Sequence, residues 1–136
     1  ALIRTCLYSL LVFWSAVALW MAWLGWDTVM DVDPETGTAS GPYEIWQVAG
    51  FVLSAGALAV AVQTRLPAWL VIATSSAGIT SGAGLSFASD DSGLAGVGLG
   101  LVALGAAAGT SLLMLVVRLI GSKKTAVGST SAHGDR

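Results

Sequence analysis

Four windows of this chain carry no charged side chain: residues 5–26, 45–64, 66–89 and 92–117. They run to 22, 20, 24 and 26 residues. About 20 predominantly apolar residues, rising 1.5 Å each, take a helix across a hydrocarbon layer about 30 Å thick. A helix satisfies its own backbone polar groups, which lipid cannot do. Composition agrees: 10% of residues are charged and 55% hydrophobic, where a soluble domain carries roughly 25% charged residues to cover its surface. The sequence therefore predicts an all-α membrane protein, an antiparallel bundle of four transmembrane helices over about 5–26, 45–64, 66–89 and 92–118.

The third window, "PAWLVIATSSAGITSGAGLSFAS", is rich in Ser, Thr and Gly, so a buried or re-entrant helix competes with a full span. The charge layout requires an even number of crossings and favours the span. The first window follows Arg4 as a signal peptide would, but it exceeds the usual 7–15 residue apolar core and no A-x-A-like site follows. It reads as an uncleaved first helix.

Charge sets the orientation. Arg4, Arg65, Arg118, Lys123, Lys124 and Arg136 all fall on one flank of the four windows. Asp27, Asp31, Asp33, Glu35, Glu44, Asp90 and Asp91 fall on the other, with Asp135 the exception. The positive-inside rule puts both termini in the cytoplasm of a multi-pass protein, and the Ala/Gly/Val-rich spans suit a bacterial plasma membrane. Trp23, Trp26, Trp46 and Trp69 stand at window ends, where an indole keeps its N–H in water and its ring in lipid. Trp14 and Trp20 lie deeper and read as packing residues.

Burial alone does not join helices in lipid; small residues that admit a close backbone approach do. The candidate packing interface is Gly50, Ser54 and Ala57 (with Ala61) on helix 2, Gly78 and Gly82 (with Ser86) on helix 3, and Gly96, Gly100, Gly105 and Gly109 on helix 4. The short "QTRLP" turn predicts helices 2 and 3 as antiparallel neighbours, with Pro67 in a first helical turn. "SDDSG" joins helices 3 and 4 and offers Ser89 or Asp90–Ser92 as a cap. Residues 1–121 form the membrane domain, and 122–136, small and polar, read as a flexible cytoplasmic tail.

Residues 27–44 hold five of the eight carboxylates between two apolar runs. Asp31-x-Asp33-x-Glu35 resembles the start of a calcium loop, but the positions that need Gly and Glu hold Thr36 and Pro42. A looser cation site on Asp31, Asp33 and Glu35, shared with Asp90 and Asp91, is a lesser alternative. A turn explains more: Pro34 fixes φ, Gly37 supplies φ > 0, and Val29, Val32 and Thr38 fall in two short strands of a hairpin-like extracytoplasmic cap. Glu44 suits the N-terminus of helix 2. Asp31, Asp33, Glu35, Tyr43 and Glu44 would also serve as a docking loop.

Reactive chemistry is scarce. Cys6 is the lone cysteine and His133 the lone histidine, so no disulfide, zinc or haem ligand set is expected within one chain, and no cofactor. No window holds an ionisable group of the kind that marks an ion path. Ser75, Ser76, Thr80 and Ser81 lack a base and read as hydroxyls bonded to helix carbonyls. The sequence thus points away from an enzyme and from nucleic acid. It points to a structural or accessory subunit whose partners are the bilayer and other membrane-protein subunits, or further copies of itself. A homo-oligomeric channel or exporter lined by Gln47, Gln63 and the hydroxyls of helix 3 is the alternative, and cation or ligand sensing by the acidic loop a second.

Overall fold

The structure is a computed structural model and describes residues 1–131. It has four helices: α1 Leu2–Trp23, α2 Ile45–Val62, α3 Ala68–Phe87 and α4 Ala95–Ser131. All four are long and apolar enough to cross a membrane, α3 included. The only strands among the described residues are β1 Asp31–Val32 and β2 Ala39–Ser40, paired antiparallel with Asp31 opposite Ser40 and Val32 opposite Ala39. Gly37 adopts φ +67°, and its N–H bonds the Asp33 carbonyl at 2.8 Å, so the hairpin turns where the Pro/Gly chemistry requires.

Two apolar clusters draw side chains from all four helices. One joins Val12 of α1, Ala59 and Val62 of α2, Val71 of α3 and Met114 of α4. The other joins Trp20, Phe51, Ile79 and Ala83, with Leu99 at its edge. The first cluster thus draws on the middle of α1, late α2, early α3 and the middle of α4.

The order of the helices differs from the one that connection length predicts. α1 packs chiefly on α3 and also on α2, and α4 packs on α3. The pair joined by the short turn, α2 and α3, touches less than any other helix pair in contact, and among the described residues α1 and α4 do not meet. The glycines supply the reason. A Cβ on Gly78 would stand 2.5 Å from the Phe13 carbonyl oxygen and 2.7 Å from the Ala16 Cβ, and one on Gly82 would stand 2.8 Å from the Trp20 Cβ. Two bare backbone patches on α3 draw α1 against it, and a five-residue turn does not oppose that.

α4 is longer than expected. Its helix continues through residues 122–131, where a flexible tail was expected; the remainder of that segment lies outside the described residues. The composition there is small and polar but contains no proline and no left-handed glycine to end the helix. From Arg118 to Ser131 it adds 14 residues, about 20 Å at helical rise. Trp14 also departs from expectation: it is 63% exposed and meets Phe13 edge to face, while Trp20 is buried among Tyr43, Phe51 and Phe87. Successive aromatics at 13 and 14 point to different sides of a helix, so only one can enter the core.

Candidate functional site

The acidic end of the molecule is built on a polar knot at the start of α2. Gln47 is wholly buried. Its Oε1 accepts the Glu44 backbone N–H at 2.6 Å, and its Nε2 donates to Asp27 Oδ2 at 3.0 Å. The amide thus caps α2 from the third helical position and ties it to the segment leaving α1. The Glu44 carboxylate accepts the Trp46 indole N–H. Tyr43 folds over Trp20; burial first, and the nearby Asp27 charge second, push its phenol above the usual range. Tyr43 and Gln47, rather than the hairpin, cover this end of the helices, because every residue of the hairpin from Thr28 to Gly41 is exposed.

Asp31, Asp33 and Glu35 do not converge. Among the described residues no three His, Cys, Asp or Glu side chains are placed to hold a metal ion. Asp33 Oδ1 accepts the Glu35 N–H at 2.9 Å, and that backbone bond, with the Thr36 hydroxyl, holds its carboxyl below the usual range. Asp90 does the same at the other outer turn: Ser92 N–H and Oγ both bond its carboxylate at 2.9 Å, which lowers its pKa. These carboxylates organise turns. Because the folded form depresses both pKa values, their contribution is full above the ordinary carboxylate range and is lost as pH falls through the depressed value. Protection of the Glu35 amide, its exchange rate relative to the intrinsic rate at each pH, should therefore fall on acidification in the parent chain, and Asp33→Ala should leave that amide unprotected at every pH.

The polar groups proposed to line a path are not brought together. Gln47 sits in the acidic-end knot, and Gln63 follows the last turn of α2 at the opposite end. There Arg65 donates to the Tyr8 hydroxyl at 2.8 Å and lies over its ring, fastening α1 to the α2–α3 turn. Ser81 donates to the Ala77 carbonyl at 2.7 Å, as expected of a helix hydroxyl. Ser75 and Ser76 do not: both hydroxyls are buried without a partner.

The small-residue stripes divide sharply. Gly50 sits under the Trp23 ring, where a Cβ would come within 2.4 Å; Ser54 bonds the Gly50 carbonyl at 2.7 Å; and Ala57 is exposed. Gly78 and Gly82 meet α1 as described. Gly96, Gly100, Gly105 and Gly109 have nothing within 4 Å of a built Cβ. At 100° per residue the first pair faces away from the second. Gly105 and Gly109 line a cavity of about 930 Å³ bordered by all four helices, while Gly96 and Gly100 do not. Sequence reading could have found the Gln47 cap from Glu44-x-x-Gln47 at a helix start; the cavity left no local signal. Comparison with protein-family models, with curated proteins and with solved structures finds no match for this chain.

Proposed function

We propose that this chain is a non-enzymatic accessory subunit of a larger bacterial membrane complex, an antiparallel four-span bundle with both termini in the cytoplasm and residues 27–44 outside. The observation that carries this reading is the side of α4 bearing Gly96 and Gly100, where nothing among the described residues lies within 4 Å of an added Cβ. Bare helical backbone is what a further transmembrane helix packs against, because close approach, rather than burial, joins helices in lipid. Two features extend the reading. The exposed acidic hairpin offers polar contacts outside the membrane. The extension of α4 past Arg118 carries Lys123 and Lys124 into the cytoplasm, where positive-inside charge belongs.

Purification in mild detergent tests this. Stoichiometric partner chains should accompany the parent protein. Gly96→Leu with Gly100→Leu should release them without lowering the melting temperature of the chain itself, since both side chains enter open space. A pure homo-oligomer that conducts ions in liposomes would replace the accessory reading with the channel.

A further inference from the structure

The cavity among the helices points to a ligand that the accessory role does not require. Its wall includes Ala16 and Trp20 of α1, Phe51 and Ala59 of α2, Ile79 of α3 and Ala106 of α4. At about 930 Å³ it falls within the range of small-molecule sites, roughly 300–1,000 Å³. Ser75 and Thr110 supply the only side-chain hydroxyls on the wall. A stable internal water needs two to four polar partners, so this is a space for hydrocarbon.

The walls decide which hydrocarbon. The packed cluster of Val12, Ala59, Val62, Val71 and Met114 adjoins the cavity at Ala59, and Trp20, Leu24 and Phe51 of the other cluster line it. Between α2 and α4, Leu113 reaches to 3.8 Å from where a Cβ on Gly56 would stand. A helix, 10–12 Å across with its side chains, cannot thread such a space. A flexible chain entering sideways from the bilayer can.

Ser75 adds a polar requirement. Ser54, Thr74, Ser81, Ser86 and Ser111 each donate to the carbonyl four residues back, at 2.6 to 3.3 Å. Ser75 lines the cavity, is 7% exposed and has no partner for its hydroxyl. An unspent donor in an apolar interior favours an acceptor on the occupant. Seven residues into α3, it lies about 10 Å below that helix's start, deeper than the ester carbonyls of phospholipids, which stay at the interface. We propose that the cavity binds a neutral single-chain lipid carrying a carbonyl group that accepts a hydrogen bond from Ser75.

Melting of the full chain in mild detergent, titrated with a long-chain methyl ketone and with the alkane of equal length, tests the assignment. The ketone should raise the melting temperature saturably, as mass action on the folded state requires, and bind about three- to tenfold tighter than the alkane, the yield of one hydrogen bond. Ser75→Ala should bring the ketone down to the alkane's affinity and leave the alkane unchanged. Gly105→Leu with Gly109→Leu places side chains in open cavity space; it should keep the helical spectrum and remove both shifts. No shift with either probe in the parent chain, or a shift that survives the filled variant, overturns the site. Equal affinity for ketone and alkane in the parent overturns the role of Ser75. Partner copurification is scored separately, so failure here leaves the accessory reading standing.

Discussion

Gly78→Leu should destabilise the protein by about 3 kcal/mol or more, the upper end of what overpacking a tight contact costs, and should leave much of the chain unfolded in detergent. Even the first added carbon meets the Phe13 carbonyl oxygen at 2.5 Å, and that oxygen belongs to the backbone of α1 and cannot rotate away. The α1–α3 contact, the most extensive between helices among the described residues, must open to admit it. Gly100→Leu is the matched control: the same change, in a helix of the same protein, at a position with nothing within 4 Å. Its stability should stay within about 0.5 kcal/mol of the parent, or rise, since glycine is the poorer helix former by nearly 1 kcal/mol. Denaturant titration of both variants by circular dichroism reads the difference. Equal losses at the two positions would mean that α3 and α1 do not meet as described.

The second large effect is expected at Gln47. Gln47→Glu should cost about 3–5 kcal/mol, the range for leaving a buried charge uncompensated. The variant loses the amide donor to Asp27 and sets a carboxylate against the Asp27 carboxylate at a position sealed from water. Gln47→Leu, which keeps the volume and removes both hydrogen bonds, should cost less, about 1–3 kcal/mol for the polar groups left without partners. The ordering of the two losses is the test. If the leucine variant is the worse, packing rather than the polar knot holds the start of α2.

Both effects arise at places where local sequence rules say little about consequences. Gly78 and Gly82 were visible as a GxxxG pair, and so were Gly96 and Gly100, with identical spacing. Among the described residues, only the first pair has another helix within 4 Å of an added Cβ. Spacing fixes that two glycines share a face, but not which neighbour comes to that face. In sequence, Gln47 is a candidate for lining a path only under the alternative of a channel. The alternative, a cap three residues after Glu44, was equally written in the sequence; what decides between them is the position of Asp27, which the folded chain brings within 3.0 Å. Ser75 and Ser76 look in sequence like the other hydroxyls of α3, because composition cannot separate a serine bonded to its own helix from one that is not.

The sequence by itself determined four membrane-length helices, their boundaries to within a few residues at most ends, the turn at Gly37 and the segregation of charge. Each follows from interactions among residues close in the chain: a hydrophobic length to match, backbone hydrogen bonds to close, a φ to supply. Tertiary structure alone decided that α3 pairs with α1 instead of α2, that Trp20 enters the core while Trp14 does not, and that a cavity remains between the two clusters. Those outcomes depend on which surfaces approach most closely in three dimensions. In a medium as apolar as the side chains themselves, closeness of fit chooses among arrangements that hydrophobicity leaves equal.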